Sequence, residues 1–313
     1  MFLCVSLNPG VDKRLRLQKL RVGQVNRATE VQPAPGGKAA HVAMVLRTLG
    51  ADPVWFGFSG GASGNELVDG LRALSIQVQA IPIAAGTRTN LEIIDGGGQV
   101  TEILEPGGQI APEELRRLQS TFVKLLTDSR EPVTVIISGS LPPGVPVDFY
   151  GTLVGTAHAA GARVFLDTSG EPFKSALPAK PDFIKPNREE AESWSGSKID
   201  SSNSARAVLA SMLQSGAAAG AISLGASGLV WLSTGENAII AKVPELSARS
   251  TVGSGDATLA GFAFAARQGM NPCDTVRLAA ACGSANCLAD AAGRANAADI
   301  ARLQQRIVVE RVQ

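Results

Sequence analysis

The sequence contains few of the residues that build metal centres or disulfide frameworks. It has four cysteines, none of them in a C-x-x-C pair, and its only histidines are His41 and His158. A zinc site of His and Cys ligands needs more donors than this chain offers. Free thiols in a reducing compartment are the expected state of the cysteines, so we predict a cytoplasmic protein.

Excess charge of either sign is also lacking. The 29 Lys and Arg residues nearly balance the 28 Asp and Glu residues, which leaves a formal net charge of +1. Such a chain has no field that could organise a polyanion, so we expect no nucleic-acid partner. The apolar run Met1–Leu7 stops at Asn8-Pro9-Gly10 and does not predict a secretory signal. The uncharged stretch Ala207–Gly235 is broken by serines and glycines, which favours two buried strands joined by a turn over a membrane span.

Aromatic side chains are scarce, at 4% of the chain with a single Tyr. The core must therefore be built from Ala, Val, Leu and Ile. Glycine, in contrast, is abundant, with 34 residues clustered in short runs. This composition is typical of buried parallel strands covered by Ala-rich helices, with glycines at the strand-to-helix turns. At 313 residues the chain has the upper size of one α/β domain, so we predict a single domain spanning 1–313.

Short apolar runs alternate with helical patterns along the chain, which indicates βαβ units and a mostly parallel sheet. The predicted strands are Phe2–Leu7, Val54–Phe58, Val133–Ser138, Arg163–Asp167, Phe183–Lys185, Gly220–Leu224 and Leu229–Leu232. The predicted helices are Ala39–Leu49, Glu66–Leu74, Pro112–Thr127, Val147–Ala159, Ser204–Gln214 and Asp256–Arg267.

Two β-rich insertions, Arg14–Gln32 and Thr87–Glu105, interrupt this alternation. The second contains the turn Asp95-Gly96-Gly97-Gly98 between alternating polar and apolar residues, which predicts a hairpin. The insertions are either a surface decoration or a lid that excludes water from a reaction.

The segment Val252–Phe262 places a Gly-Ser-Gly turn directly before an Ala-rich helix. Gly253 and Gly255 let successive backbone N–H groups point at one spot, and the helix N-terminus adds partial positive charge, so the segment predicts an anion site. Asp256 within this turn is either a helix cap or a general base that deprotonates an attacking hydroxyl.

Common nucleotide-binding motifs are absent from the sequence. Gly37-Lys38 is followed by Ala39, so no G-x-x-x-x-G-K-[ST] motif occurs, and no G-x-G-x-x-G motif occurs either. Gly57–Gly61 matches the G-x-S-x-G nucleophile elbow, with Ser59 as nucleophile and His158 as the later histidine. A serine hydrolase is therefore one alternative, although a Gly-rich turn matches so short a pattern easily by chance.

A series of short motifs in order resembles the ribokinase (PfkB-type) family of sugar kinases, and within it the 1-phosphofructokinase and tagatose-6-phosphate kinase branch. The resemblance implies an α/β, ribokinase-like three-layer sandwich with a central mostly parallel sheet. It also implies a small β-sheet lid, formed by residues of about 12–34 and 87–106. The motifs are Ser6–Asp12, Gly36–Lys38, Thr87–Asn90, Ile137–Gly144, Asp167–Gly170, Lys185–Glu190, Ser223–Gly225 and Val252–Asp256.

The family implies roles for particular residues. Asp256 would be the base, and the backbone of Gly253, Ser254 and Gly255 would stabilise the transferred phosphate. Glu190, together with Asn187, would help to place Mg²⁺ indirectly. The residues implied in ATP binding are Lys185, Asn187, Ser223, Gly225, Gly228 and Asn286. Those implied in substrate binding are Asp12, Gly36, Gly37 and His41 at the sugar, and Lys38, Arg88, Ser140 and Arg27 at its phosphate. Arg27 would come from the lid of a second subunit, so the resemblance implies a homodimer through the β lid.

One motif departs from the family pattern. The family usually has Gly-Gly-Lys-Gly-x-Asn where this chain has Gly36-Gly37-Lys38-Ala39-Ala40-His41. Ala39 adds a methyl where the backbone could need an unusual conformation. His41 is either a buried structural histidine or part of an altered sugar site, because imidazole offers different hydrogen bonds from Asn and can become charged.

The function implied by the resemblance is an ATP-dependent kinase that phosphorylates a ketohexose phosphate to the bisphosphate. The candidate substrates are tagatose 6-phosphate, fructose 1-phosphate and fructose 6-phosphate. The alternatives are a kinase of an unphosphorylated sugar or nucleoside and a non-catalytic protein that binds a sugar phosphate.

Overall fold

The buried apolar runs of the sequence form a ten-stranded sheet, in a computed structural model that describes residues 1–312. The strand order is β14-β13-β12-β11-β10-β9-β8-β1-β4-β5, parallel from β11 to β5 and antiparallel from β11 to β14. The strands of this sheet are β1 (Phe2–Ser6), β4 (Pro53–Ser59), β5 (Gln77–Pro82), β8 (Thr134–Ser138), β9 (Arg163–Asp167), β10 (Phe183–Ile184), β11 (Ala219–Ser223), β12 (Leu229–Ser233), β13 (Ala238–Lys242) and β14 (Val308–Val312).

Helices cover both faces of the large sheet, as buried parallel strands require. Cys4 of β1 belongs to the apolar layer under α1, α2, α8, α9 and α10, while its neighbours Leu3 and Val5 belong to the opposite layer under α3 to α7. The fold is therefore the predicted three-layer α/β sandwich. The helices are α1 (Lys38–Thr48), α2 (Gly61–Ala73), α3 (Pro112–Thr127), α4 (Phe149–Ala159), α5 (Gly170–Ala176), α6 (Arg188–Ser195), α7 (Ser202–Gln214), α8 (Ser254–Arg267), α9 (Pro272–Leu288) and α10 (Ala297–Gln304).

Small residues let two of these helices approach closely. A Cβ placed on Gly261 of α8 would lie 2.6 Å from the Cα of Ala279 on α9. The Ala-rich composition therefore serves packing between helices as well as burial. All four cysteines are free thiols, as predicted.

A second sheet of four strands stands apart from the large one, with the order β3-β2-β6-β7. Its two central strands, β2 and β6, run parallel, and each outer strand pairs antiparallel with its neighbour. The predicted hairpin across the Asp95–Gly98 turn is confirmed. The first insertion is β only at its ends, because residues 17–29 form no strand; Leu17 is buried, and most of the segment after it is exposed. The strands are β2 (Gly10–Arg16), β3 (Glu30–Gly36), β6 (Arg88–Ile94) and β7 (Val100–Leu104).

The uncharged stretch Ala207–Gly235 contains part of a predicted helix as well as the two predicted strands. It begins with the second half of α7, and only then come β11 and β12, joined by the short 3₁₀ turn Gly225–Ser227. No helix within residues 1–312 is long and apolar enough to cross a membrane.

Candidate active site

The carboxyl ends of the parallel strands meet at one edge of the large sheet and open into a cleft of about 1280 Å³. Ligands of open α/β sheets bind at this edge. Ser138, Asp167 and Ser223 end three of the strands and line the cleft, and residues of the small sheet close it from the other side. The predicted site residues that line it are Asp12, Gly37, Lys38, His41, Arg88, Ser140, Lys185, Asn187, Glu190, Ser223, Gly225, Gly228, Gly253, Ser254, Gly255 and Asp256.

Three predicted residues lie outside this lining: Arg27, Gly36 and Asn286. Arg27 is exposed in the segment between β2 and β3. Gly36 lies behind Asp12, and a Cβ at Gly36 would come within 2.2 Å of the Asp12 carboxylate, so glycine is needed for that side chain to fit. Asn286 is buried, donates to the carbonyl of Val252 at 2.8 Å and accepts from the N–H of Gly293 at 2.8 Å.

The anion turn forms as the sequence predicts, with one shift in its boundary. Gly253 is the N-cap of α8 with φ +76°, a left-handed conformation that favours glycine, and the helix begins at Ser254, before the predicted start at Asp256. Asp256 is thus the third residue of the helix, and its carboxylate makes no capping hydrogen bond. Lys185 lies beside the turn, because a Cβ on Gly255 would be 3.0 Å from the Nζ of Lys185.

The carboxylate of Asp256 is hydrogen-bonded to His41 instead. The Nδ1 of His41 lies 2.8 Å from Asp256 Oδ2, and its Nε2 lies 3.0 Å from Asp12 Oδ2. The other oxygen of Asp12 accepts from the Nδ2 of Asn90 at 2.8 Å. One imidazole therefore joins the predicted base to the predicted sugar-binding carboxylate.

Charge and hydrogen bonding decide the protonation of this group. Burial opposes a charge on His41, but the hydrogen bonds and charges of Asp12 and Asp256 outweigh it and raise the pKa of His41 to about 10. Burial alone would raise the pKa of Asp12, yet the hydrogen bond and charge of His41, followed by Asn90 and Arg88, hold it below its usual value. The raised pKa favours the doubly protonated ring of His41 at neutral pH.

A second ionic cluster surrounds Asp167, at the end of β9. Its Oδ1 accepts from the Nζ of Lys38 at 3.1 Å, and its Oδ2 lies 3.4 Å from the Nζ of Lys185. Lys38 is also 3.7 Å from Glu190. Burial would lower the pKa of Lys38, but Asp167, Glu190 and Asp256 together raise it. Burial alone would raise the pKa of Asp167, but the charges of Lys185 and Lys38 hold it below its usual value.

Asn187 and Glu190 form a reciprocal cap at the start of α6. The Oδ1 of Asn187 accepts from the N–H of Glu190 at 2.8 Å, and the Glu190 carboxylate accepts from the N–H of Asn187 at 2.9 Å. This capping box fixes both side chains on the first turn of the helix. It leaves Glu190 Oε1 directed toward Lys38.

The opposite end of the cleft contains Arg88 and Ser140. Arg88 donates to the carbonyl of Glu105 at 2.7 Å, whereas its Nε is buried with no partner among residues 1–312. Burial lowers the pKa of Arg88, although the charges of Asp12 and Glu105 act to raise it. Asn8 donates to Ser140 Oγ and to the carbonyl of Pro106, at 3.0 Å each, and so ties Ser140 to the loop after β7.

Comparison with known proteins decides what kind of site this is. Residues 10–298 match the model of the pfkB family carbohydrate kinases. The chain belongs to this family. It is 35% identical to a 1-phosphofructokinase of Xanthomonas campestris over 268 residues, which is 84% of this chain and 83% of the relative.

Two solved structures agree with the family. Phosphofructokinase-2 from Escherichia coli, in complex with substrates and products, superposes with a TM-score of 0.90 at 26% identity and covers 98% of both chains. A tetrameric inhibited form of the same enzyme gives a TM-score of 0.89 at 25% identity, covering 97% of this chain and 98% of that one. The protein is thus a sugar kinase that transfers phosphate from ATP to a hydroxyl.

In this pfkB kinase the serine-hydrolase alternative has no catalytic partners. Both histidines are engaged elsewhere, His41 with two carboxylates and His158 with Asp182 at 3.0 Å. No hydrogen bond joins Ser59 to either histidine in the part of the chain that the structure describes. Ser59 ends β4, and the glycines that follow it serve the turn into α2.

Among the residues of the kinase site that were not predicted are three polar ones with contacts to predicted residues: Asn8, Asn90 and Asp167. Each belongs to a motif that carried the family resemblance, so the signal was present in the sequence. Asn90 donates to Asp12, and its own Oδ1 is buried without a partner among residues 1–312. Asp167 organises the two lysines described above.

Proposed function

We propose that this pfkB kinase transfers the γ-phosphoryl group of ATP to a hydroxyl of a ketohexose phosphate and produces the bisphosphate. The observation that carries the proposal is the position of Asp256. Its carboxylate lies on the first turn of α8, beside the Gly253 turn, and is connected through His41 to Asp12. A base is thus placed between an anion-binding turn and a group that binds hydroxyls. The similarity to a 1-phosphofructokinase supports a fructose phosphate as the acceptor.

The reaction follows from this arrangement. A sugar hydroxyl gives its proton to Asp256 while its oxygen forms a bond to the γ-phosphorus, and the bond from that phosphorus to the β–γ bridging oxygen breaks to release ADP. The backbone N–H groups at Gly253, Ser254 and Gly255 stabilise the charge on the transferred group, because they converge at a helix N-terminus. We place Lys38 at this transfer centre rather than at the phosphate of the substrate, since its Nζ lies among Asp167 and Glu190.

The residues present fit Mg²⁺ as a companion of ATP. The Oδ2 of Asp167 is buried and has only the ion pair with Lys185 at 3.4 Å, while Oδ1 of Asp167 and the carboxylate of Glu190 share Lys38. In that part of the chain no three His, Cys, Asp or Glu side chains form a ligand set of their own. Such a site suits a cation that keeps water and phosphate oxygens as ligands, with Asp167, Glu190 and Asn187 holding the assembly. When bound, Mg²⁺ supplies charge neutralisation for the phosphates.

We further propose that the small sheet is a lid and the contact surface of a homodimer. Five of its exposed residues, counting the segment 17–29, are large and apolar: Val22, Val25, Val31, Ile103 and Leu104. Exposed large apolar side chains that are concentrated in one part of a fold are typical of interaction surfaces. Dimerisation would bring Arg27 of one copy toward the cleft of the other.

Measurement of ADP release tests the proposed reaction. The panel is fructose 1-phosphate, fructose 6-phosphate, tagatose 6-phosphate, fructose and ribose. We expect turnover with at least one phosphorylated ketohexose and much weaker turnover with free fructose or ribose. Preference for a free sugar would identify the alternative kinase, and sugar-phosphate binding without ADP release would identify a non-catalytic protein.

A substitution at the base tests the mechanism. We expect Asp256→Asn to reduce kcat about a thousandfold, because the amide cannot accept the hydroxyl proton, with ATP affinity by calorimetry nearly unchanged. Asp69→Asn, on the exposed surface of α2, is the matched control and should retain full activity. Normal turnover in Asp256→Asn would disprove the base assignment.

A further inference from the structure

His41 is the only side chain in residues 1–312 that is bonded to both carboxylates of the sugar end of the cleft. It is the fourth residue of α1, and only 5% of its surface is exposed. Its two ring nitrogens point to acceptors in opposite directions, Asp256 at 2.8 Å and Asp12 at 3.0 Å. Only the doubly protonated ring can donate from both nitrogens at once.

We propose that His41 is a positioning residue that holds the base and the sugar-binding carboxylate together as a cationic bridge. It occupies one oxygen of each carboxylate and so fixes how Asp256 faces the sugar hydroxyl. The inference rests on the proposed function of Asp256 as the base. It goes beyond that function by assigning a role to the imidazole in alignment of the base and in the pH range of activity.

The charges around the bridge explain why a cation is useful there. Asp12 and Asp256 are two acidic side chains in a buried site, and a positive charge on the ring between them stabilises negative charge on either one. Three other charged side chains lie near the two carboxylates. Arg88 of β6 acts on Asp12, Lys38 of α1 acts on Asp256, and Glu102 of β7 adds negative charge near both carboxylates and His41.

Two amide variants separate the two hydrogen bonds of the bridge. The Nδ2 of Asn occupies the place of Nδ1, so His41→Asn keeps a donor for Asp256 and loses the one for Asp12. The Nε2 of Gln occupies the place of Nε2, so His41→Gln does the reverse. We expect His41→Gln to lower kcat about tenfold with little change in the KM of the sugar phosphate, because the base loses its alignment. We expect His41→Asn to raise that KM about tenfold with a smaller change in kcat.

Both variants also remove the positive charge, and a pH profile detects this. Asp12, whose pKa His41 holds low, loses that cation in both variants and is protonated at higher pH, so the acid limb of kcat/KM should move upward. A residue that only fills space would not move that limb. Thermal unfolding and ATP affinity, measured alongside, show whether each variant is folded.

A direct measurement on the unmodified protein keeps the inference testable if the variants do not fold. Imidazole ¹⁵N NMR at neutral pH should show both nitrogens of His41 protonated, since its pKa is raised to about 10. The chain has one other histidine, His158, which lies outside the site and pairs with Asp182, so His158→Gln assigns the signals. A neutral His41 ring would overturn the inference.

The outcomes separate this inference from the proposed function. Normal turnover in Asp256→Asn would remove the base and with it the role of the bridge. An inactive Asp256→Asn, combined with unchanged kcat, KM and pH profile in both His41 variants, would leave the base in place and refute the bridge alone.

Discussion

Arg88 of β6 has one guanidinium nitrogen, Nε, that is buried and unpaired among residues 1–312, while Nη1 is bonded to the carbonyl of Glu105. An unpaired buried donor costs free energy unless a ligand satisfies it. The same guanidinium lowers the pKa of Asp12 by its charge, so it lies close to the sugar end of the cleft. These facts suit an anion already present on the acceptor, which the planar guanidinium binds through two donors.

We expect Arg88→Ala to raise the KM of the preferred sugar phosphate about a hundredfold, with a smaller effect on kcat, because a charge-assisted contact in a partly buried site is lost. The measurement is steady-state kinetics at saturating ATP. Arg72→Ala, an exposed arginine on α2, is the control and should leave KM unchanged. An unchanged KM in Arg88→Ala would instead favour an unphosphorylated acceptor.

The structure shows no backbone strain at Ala39, where the sequence motif had suggested it. A methyl at this position raised the prospect of backbone strain, but Ala39 is a fully buried residue of the first turn of α1. The positive φ of this turn belongs to Gly37, at +89°. The Gly-to-Ala departure from the family pattern therefore leaves the helix start intact, and the chemical consequence of the motif change lies at His41.

At the level of elements, a buried ion pair joins the two central strands of the small sheet. Arg14 of β2 donates to both oxygens of Glu92 on β6 at 2.8 to 3.0 Å, and both side chains are more than nine-tenths buried. Ser250, in the segment before α8, donates to the same carboxylate at 2.9 Å. Through this hydrogen bond of Ser250, the small sheet is connected to the segment that leads into the anion turn.

Substitution of Glu92 by Gln should lower the free energy of unfolding by about 3 kcal/mol or more, because Arg14 would remain buried without a counter-charge. Urea denaturation measures this, and hydrogen exchange should show β2 and β6 opening first. The control lies on the same sheet, since the pair Arg16–Glu30 is 45% exposed on both sides. Glu30→Gln should cost less than about 1 kcal/mol. Equal effects of the two substitutions would contradict a special role for the buried pair.

The elements that the sequence predicted well are those with a strong local signal. The strands β1, β4, β8, β9, β11 and β12 are buried apolar runs, and their predicted bounds differ from the observed ones by only a few residues. The edge strands β5 and β14 were missed, because half-exposed strands carry polar residues at positions where a buried strand is apolar. The helix α9 was missed because its small residues give no clear amphipathic period. The strand β13 and the short helices α5 and α10 were also absent from the prediction.

The active site was also predicted only where the signal is local. The sequence motifs identified most of its residues, but the bridge between Asp256 and Asp12 depends on contacts of His41 that span 215 and 29 positions of the chain. Local sequence carries no information about which of the two readings of His41, structural or functional, its neighbours support. Only the packing of α1 against α8 and β2 placed the imidazole between two carboxylates.

At the scale of the whole molecule, the distribution of exposed apolar side chains is uneven. The small sheet and the segment 17–29 carry most of the large apolar residues that are exposed in residues 1–312, and Val22 and Val25 are exposed by 94% and 79%. Both outer strands of this sheet, β3 and β7, have one unpaired edge. Exposed strand edges can pair with another chain, and the exposed apolar side chains favour contact with a second copy of this protein.

We expect the protein to form a dimer in sedimentation velocity at micromolar concentration. Val25→Asp should raise the dissociation constant of the dimer about a hundredfold or more, because a charge would be buried at an apolar contact. Val123→Asp, at a half-exposed position on α3, is the control and should leave the mass unchanged. The second prediction concerns Arg27. If Arg27 of one copy reaches the phosphate bound by the other, dissociation of the dimer by Val25→Asp should raise the KM of the sugar phosphate. Arg27→Ala should raise the same KM while the protein stays a dimer. A monomer at all concentrations would refute the dimer, and a dimer with an unchanged KM in Arg27→Ala would confine the lid to closing its own site.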